Sequence, residues 1–327
     1  MDGKKKTLLI IAGIAVVYIV VLSVVLKNKK TNQNTGDVNS FFSGVGDPVA
    51  QEGIIGELAV GNVVTFGSYE QDANFANGKE PLEWDVIAQD GDRYLLITHY
   101  VIDGKKFDDS SSDDTVQANE NSTAAQITWA KSSIRQWLNN EFYATAFTKN
   151  DQALILQTHH VTTDFRSFDT GYLGYTSTTS GASKANGLGG ADTDDQVFLL
   201  SYEEFVKYFQ PEKSSIYPYR MQCGKAIVSP TKYARMQGVS YKSLANETFA
   251  APGDWEGLAE VYLNTFRKDV SEDYEANGYI CSWITRSPGC YTGGTAVLTI
   301  VSGYTCFSPG VLKSEVNGIR PAIWVKG

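Results

Sequence analysis

The sequence lacks the short motifs that most often identify an enzyme. Its 327 residues contain no HExxH, no GxSxG and no glycine-rich phosphate loop. Cysteine occurs four times, methionine three times and proline nine times. The signatures of a zinc peptidase, an α/β-hydrolase and a nucleotide-binding enzyme are therefore missing, and no reaction follows from the sequence alone.

Positive charge is scarce outside the N-terminus. The chain has 28 basic and 37 acidic residues, and residues 1–30 hold six of the lysines and one acid. Subtraction leaves 22 basic and 36 acidic residues, a net charge of −14, for residues 31–327. Nucleic-acid binding needs clustered Lys and Arg, so the acidic body excludes nucleic acid as the expected partner.

One long apolar run stands at the N-terminus. Residues 8–26 carry no charge, and 19 helical residues span about 29 Å, the thickness of a bilayer core. Lysines follow directly, without the small-residue site of a cleaved signal peptide. The sequence predicts a cytoplasmic tail at 1–6, a transmembrane anchor at 7–26, a polar stalk at 27–52 and one folded domain at 53–327.

Lysines flank the predicted anchor equally, three on each side, so local charge does not orient it. Long domains cross the membrane largely regardless of such charge. We therefore expect a single-pass protein with its C-terminal domain outside the cytoplasm. The sequons at Asn121 and Asn246 predict exposure of those positions.

The folded part mixes strand and helix signals. Residues 83–98 alternate around Asp90-Gly91 and predict a hairpin, whereas 128–147 has helical spacing at Ile134, Trp137, Leu138 and Phe142. We predict a single α+β domain with short strands, few helices and long loops. Further strands are expected at 62–67, 196–200, 279–289, 296–307 and 318–325, and further helices from Ser201 and at 230–238.

The four cysteines all lie in the last third of the chain. Four cysteines allow three pairings, and the sequence does not choose among them. Their spacing contains no CxxC, which disfavours zinc. One or two disulfides suit an extracellular domain, and buried free thiols are an equal alternative. The candidates are Cys223, Cys281, Cys290 and Cys306.

Seven sequence blocks together resemble a known bacterial family. In order they are VTFGSYEQD, EPLEWDVIAQDGDRYLLIT, SSIRQWLNNEFYATAF, DQVFLLSYEE, PTKYARMQGV, WITRSPG and GIRPAIWV. They resemble the domain-of-unknown-function family 6273, over residues 57–326. The resemblance implies a surface or membrane-anchored protein of gut Firmicutes or their relatives, and a C-type-lectin-like or sulfatase-modifying-factor-like fold. It implies no activity.

One block departs from the family pattern. The family has Trp-Leu-Arg-Ser-Pro-Gly, whereas this chain has one extra residue between Trp283 and Arg286. Trp283, Arg286 and Tyr291 are candidates for a sugar-binding surface, because aromatic faces stack on sugar rings and Arg bridges hydroxyls. A core tryptophan beside a surface arginine is the alternative, and it is favoured.

Two other arginines are predicted to be structural clamps. Arg320 precedes Pro321, which donates no ladder hydrogen bond, and its guanidinium offers five donors to carbonyls or a carboxylate. Arg135 lies beside Trp137 on the predicted helix. Ligand binding is the alternative role for both residues.

The remaining candidates concern metals and catalysis. The acidic runs DDSSSDD and DTDD offer oxygens for calcium, but neither has the spaced pattern of a calcium loop, and solvated loops are favoured. We expect no cofactor. Cys306 with Arg320 and His99, His159 or His160 loosely resembles a cysteine transpeptidase set, without its spacing. Glycosidase carboxylate pairs stay open, since only their separation in space identifies them.

The function expected from these patterns is non-catalytic binding of a glycan, a cell-wall component or another surface protein. The anchor, the long polar loops and the 39 aromatic residues, 18 Tyr, 15 Phe and 6 Trp, favour it. An extracytoplasmic enzyme, either a hydrolase of surface polymers or a cysteine-based modifying enzyme, is the first alternative. A structural exposed module is the second.

Overall fold

The computed structural model describes residues 53–109, 128–164, 188–213, 221–243, 279–288, 297–301, 304–306 and 316–327. All of them belong to one compact unit, residues 50–327. The predicted tail, anchor and stalk lie outside these residues. None of the described helices combines the length and the hydropathy that a membrane span needs.

The described strands are β1 Val63–Tyr69, β2 Glu80–Asp90, β3 Arg93–Thr98, β4 Asp103–Lys105, β5 Ile155–Leu156, β6 Thr158–His160, β7 Thr193–Asp195, β8 Glu212–Lys213, β9 Met221–Gln222, β10 Tyr241–Ser243, β11 Tyr279–Pro288, β12 Val297–Val301, β13 Tyr304–Cys306, β14 Asn317–Ile319 and β15 Ala322–Lys326. The described α-helices are α1 Ser133–Trp137, α2 Tyr143–Ala146, α3 Lys149–Gln152, α4 Tyr202–Phe209 and α5 Lys232–Met236, and 3₁₀ turns lie at Trp129–Lys131 and Gly224–Ala226. The predicted mixed α+β class is confirmed.

The first sheet has the strand order β1-β2-β3-β15-β5 and is antiparallel throughout. The hairpin predicted at 83–98 is confirmed as β2 and β3. Asp90 pairs with Arg93, and Gly91 takes the left-handed φ of 63° that the turn requires. Strand β1 runs to Tyr69, beyond the predicted end at Gly67, and its last residue pairs with Glu80.

The second sheet has the order β4-β14-β11-β12-β13-β9-β8, with β10 also paired to β11. Its neighbours are antiparallel except β11 and β14. The C-terminal segment, predicted as one strand, forms two. The strand is interrupted at Arg320-Pro321, and β14 and β15 belong to different sheets. Residues 296–307 likewise form two strands, β12 and β13.

The helix predicted at 128–147 is confirmed in its main part. Ser132 caps it, accepting a hydrogen bond from the Arg135 backbone N–H at 3.3 Å. A turn of π-helix at Leu138–Phe142 separates α1 from α2. The Asn139 side chain binds the backbone of residues 196 and 197, which ties this turn to the segment before α4.

One cluster of buried apolar side chains takes residues from both large sheets and from helices α1 and α4. Trp84 and Trp283 are fully buried in it. Residues 196–200, predicted as a strand, are almost all buried, and among the described residues their one bridge joins Phe198 to Ala322. Helix α4 begins after the predicted Ser201, whose side chain closes a capping box with Glu204.

Candidate functional site

A row of aromatic side chains lies where the β1–β2 hairpin meets helices α1 and α5. Its members are Phe75, Tyr233, Tyr69 and Trp137, and we call them the aromatic row. Neighbouring ring centroids are 6.0 Å, 5.8 Å and 6.5 Å apart in that order, and each pair is close to edge-to-face. Such contacts stabilise the row beyond simple burial.

The loop after β1 and the start of α5 are joined by their backbones. The Tyr233 N–H donates to the Gln71 carbonyl at 2.9 Å, and Thr231 caps α5 by accepting from the Ala234 N–H. These bonds place the Tyr233 ring between Tyr69 and Phe75. The row is therefore assembled from positions that are far apart in sequence.

Buried Asp103 holds Tyr69, in the middle of the row. Its Oδ2 accepts a hydrogen bond from the Tyr69 hydroxyl at 2.7 Å, and its Oδ1 accepts from the Gly104 N–H at 2.7 Å. Burial, together with the charge of Asp103 and this bond, raises the pKa of Tyr69. Burial raises the pKa of Asp103 as well, against the opposing effect of Lys105. The Tyr69 ring is thus fixed in one orientation.

Lys105 fixes the far end of the row. Its Nζ lies 3.6 Å from Asp103 Oδ2 and 4.4 Å from the centroid of the Trp137 ring. This is the geometry of a cation–π contact. At the opposite end Phe75 is 67% exposed, which is unusual for a large apolar side chain.

Three carboxylates border the exposed end of the row. Glu70, Asp72 and Glu80 form an acidic cluster, with one oxygen from each lying within 4.8 Å of the others. The Tyr69–Glu80 pairing of the hairpin brings the two glutamates together. Burial, followed by the charge of Glu80, raises the pKa of Glu70, so these groups repel one another.

Backbone N–H groups of the same loop already bind the acidic cluster. Glu70 accepts from the Asn74 N–H at 3.0 Å, Asp72 accepts from the same N–H at 2.7 Å, and Glu80 accepts from the Gln71 N–H at 2.7 Å. Their separation suits a divalent cation, but Ca²⁺ takes six to eight oxygens. The cluster by itself assigns no metal.

The predicted sugar-binding residues lie elsewhere. Trp283 is fully buried, and its indole N–H donates to the Ala226 carbonyl at 2.9 Å. Arg286 is 3% exposed and binds the Leu199 carbonyl and both carboxylate oxygens of Glu204. Tyr291 lies outside the described residues. Trp283 is thus in the core, where the favoured alternative placed it, whereas Arg286 is buried and not at the surface.

The predicted clamps occupy positions that suit a structural role. Arg320 is 2% exposed, and it donates to the Thr98 carbonyl and to Asp85, both at 2.7 Å. Arg135 donates to buried Asp195 at 2.7 Å. Asp195 belongs to the acidic run DTDD, of which Thr193–Asp195 form strand β7. Asp192 and Asp194 of the run are exposed, whereas Asp195 is buried. The run DDSSSDD lies mostly outside the described residues.

The three histidines are separated by the fold. His99 Nδ1 lies 2.6 Å from Asp85 Oδ1, so His99 and Arg320 share one carboxylate. His159 is exposed between Asp192 and Asp194. His160 is buried, with Nδ1 3.7 Å from Glu204 Oε1.

Two of the four cysteines can be located. Cys223 and Cys281 are free thiols, with sulfurs near the Phe209 and Val228 carbonyls. Burial raises the pKa of both, which keeps them protonated. Cys290 and the Cys306 side chain lie outside the described residues, so a disulfide between these two stays a prediction.

The fold and site define a mixed α+β domain that displays an aromatic row beside an acidic loop. The sequence profile of the family described as Domain of unknown function (DUF6273) matches residues 91–327. The chain belongs to this family, and the predicted resemblance is confirmed. Trp137 and Tyr233 lie inside the matched range, whereas Tyr69, Phe75 and the acidic cluster precede it. Searches of curated proteins and of solved structures returned no match.

Proposed function

We propose that this chain is a membrane-anchored bacterial surface protein whose domain is a non-catalytic binding module for a glycan of a cell surface or cell wall. The aromatic row is the observation that supports it. Aromatic faces bind the apolar faces of sugar rings, and Phe75 offers such a face at the exposed end of the row, with the half-buried Tyr233, Tyr69 and Trp137 behind it. Residues 7–26 would anchor the domain, with residues 27–52 as the stalk.

The rigidity of the row supports binding, because it reduces the conformational entropy that the side chains would lose when a ligand binds. Tyr69 is held by Asp103, Tyr233 by the backbone bond to Gln71, and Trp137 by Lys105. Side chains that are already fixed lose little freedom when a ligand binds. We also propose a C-type-lectin-like fold, supported by the short final strand that follows Arg320.

A glycan array tests the proposal. The full chain, purified in detergent micelles, is applied to bacterial and host glycans, first with calcium and then with chelator. We expect reproducible binding to oligosaccharides that survives the chelator. A blank array would reject glycan recognition. Loss of binding with chelator would indicate that binding depends on a metal ion held by the acidic cluster.

An extracytoplasmic hydrolase is the second candidate, and one contact favours it. His99 paired with Asp85 at 2.6 Å has the arrangement of a general base and its orienting carboxylate. Turnover of a surface polymer that disappears in His99→Gln, with folding intact, would support an enzyme. A thiolate mechanism at Cys223 or Cys281 is disfavoured by their raised pKa values.

A further inference from the structure

Three aliphatic side chains are exposed at the start of β1. They belong to Ile55, Val60 and Val63, which are 51%, 57% and 48% exposed. A single exposed aliphatic residue is common and needs no explanation, but three within a short segment form a surface that another molecule can cover. We call these three residues the apolar patch.

The fold brings the patch residues together. Ile55 and Thr65 are antiparallel neighbours that exchange two backbone hydrogen bonds, at 2.9 Å and 2.8 Å. Val63 lies two residues before Thr65, so its side chain is on the same side of β1 and diagonally across from Ile55. The Asn62 N–H closes a turn with Val60 near its tip. Three peptide units then place the Val60 Cα no more than about 11 Å from that of Val63.

The segment that carries the patch is fixed to the domain. Ile54 and Leu58, on the inward side of this segment, pack against the buried core. The Gly61 N–H donates to the Val86 carbonyl, and the Val86 N–H donates to the Asn62 carbonyl, both at 2.9 Å. The exposed side chains are therefore presented by an ordered segment.

The surroundings of the patch carry little charge. Residues 53–65 contain one charged side chain, Glu57, although the domain as a whole is acidic. On the neighbouring strand, Glu83 and Asp85 are half-buried, and Asp85 is paired with Arg320. An apolar surface with few charges can enter the interface of a bilayer, whereas an acidic surface is repelled by anionic lipid.

The apolar patch and the exposed end of the aromatic row lie at opposite ends of β1. Val63 is the first residue of this strand, whereas Tyr69, a member of the row, is the last and leads into the loop that carries Phe75. A strand of seven residues separates its two ends by about 20 Å. The described chain begins at Gly53, next to the patch, and the predicted stalk and anchor precede it in sequence.

We infer that the apolar patch docks on the lipid bilayer that holds the predicted anchor. The inference rests on the membrane anchoring in the proposed function. Ile55, Val60 and Val63 enter the interfacial layer of the bilayer, and the aromatic row at the other end of β1 stays clear of the lipid. Three aliphatic side chains bind lipid weakly, but weak contacts are sufficient for a domain that is covalently joined to the membrane, because docking is then intramolecular.

Quenching of an added tryptophan by lipid tests the inference. The full chain, as Val60→Trp or as Val161→Trp, is reconstituted into liposomes with and without phospholipids brominated on the upper acyl chain. Val161 is the matched control, because it is a valine of nearly equal exposure, 59%, that follows β6 in a different sheet. The emission of the wild type is subtracted. Brominated lipid should quench most of the emission that Val60→Trp adds and little of the emission that Val161→Trp adds.

A second substitution shows whether the patch acts as a unit. In the Val60→Trp protein, Ile55→Ser should restore much of the quenched emission, because it removes a neighbouring apolar contact with the lipid. The backbone bonds of Ile55 to Thr65 do not involve its side chain, so the fold should be retained. Met236→Ser, at an exposed apolar position on α5, is the control and should leave the quenching unchanged.

Four other results overturn the inference. Protein that fails to float with liposomes refutes the anchor, and with it the membrane-anchored function. Protein that floats without quenching at either position refutes lipid docking and leaves the anchor intact. Equal quenching at both positions indicates proximity to the bilayer without a docked face. Emission from Val60→Trp that changes with protein concentration, and not with brominated lipid, assigns the patch to contact between copies of this chain.

Discussion

Arg320 and Asp85 form an ion pair between positions 235 residues apart, with Nη2 of the buried arginine 2.7 Å from Oδ2 of the half-buried aspartate. The same guanidinium donates through Nε to the Thr98 carbonyl at 2.7 Å. Arg320 thereby joins the break between β14 and β15 to the β2–β3 hairpin. The other oxygen of Asp85 binds His99, so one carboxylate connects three segments of the chain.

Removing this arginine should destabilise the domain strongly. Arg320→Met leaves Asp85 with His99 alone and the Thr98 carbonyl without its donor, at a cost of about 3 kcal/mol in the free energy of unfolding. Urea unfolding followed by tryptophan fluorescence measures it. Arg93→Met is the control, because its exposed pair with Asp90 should contribute less than about 1 kcal/mol. Equal effects of the two changes would refute the structural role.

Glu204 should make the domain sensitive to acid. Burial alone would raise its pKa, but the charge of Arg286 and hydrogen bonds from His160, Arg286 and Ser201 lower the pKa of Glu204 to about 2. A lowered folded pKa gives stability that is complete above the ordinary value of 4.5 and is lost as the pH falls towards 2. The contribution at neutral pH is of order 3 kcal/mol.

Unfolding of the wild type and of Glu204→Gln at several pH values checks this contribution. The wild type should be the more stable protein at neutral pH, and the difference should shrink as the pH falls through that window. Glu203→Gln, at the neighbouring exposed position, should keep the wild-type pH profile. If Glu204→Gln leaves the acid dependence of stability unchanged, that dependence comes from other carboxyl groups.

His99 should titrate above its ordinary range. Burial would lower its pKa, but the hydrogen bond and the charge of Asp85 raise the pKa of His99 overall. A raised folded pKa gives stability that is present below the unfolded value of 6.5 and is lost as the pH rises through the folded value. NMR titration of the imidazole should show the raised pKa, and Asp85→Asn should lower it. An unshifted His99 would contradict the paired geometry.

Cys223 and Cys281 should react slowly with thiol reagents in the native protein. Burial raises both pKa values, and the thiolate is the reactive form. Mass-spectrometric mapping after alkylation should find both sites labelled in urea and Cys281 protected without it. A native disulfide peptide that contains either residue would contradict the structure, and the same map reports the state of Cys290 and Cys306.

Local patterns predicted the elements but not the site. The alternation around Asp90-Gly91 and the spacing of Ile134, Leu138 and Phe142 depend on neighbours in sequence, and both predictions are confirmed. The clamp at Arg320 was also predicted, since a charged side chain among apolar residues needs a partner. Its partner, Asp85, was not found, because no local pattern joins positions so distant.

The aromatic row was missed for the same reason. Its four residues come from a strand, a loop and two helices. One signal was present: Glu70 and Glu80 flank a short loop between two strands, and pairing of those strands necessarily brings them close. Trp283 was a candidate for sugar binding because it lies close to an arginine in sequence, although tryptophans are commonly buried.

The most direct test of the account measures glycan affinity in Phe75→Ala and Tyr241→Ala by isothermal titration calorimetry. Both aromatic side chains are exposed, 67% and 47%, so neither change should unfold the protein. The account predicts that Phe75→Ala weakens binding about fivefold, since stacking contributes about 1 kcal/mol, and that Tyr241→Ala binds as the wild type. Wild-type affinity in Phe75→Ala would contradict the assignment of the aromatic row as the binding site.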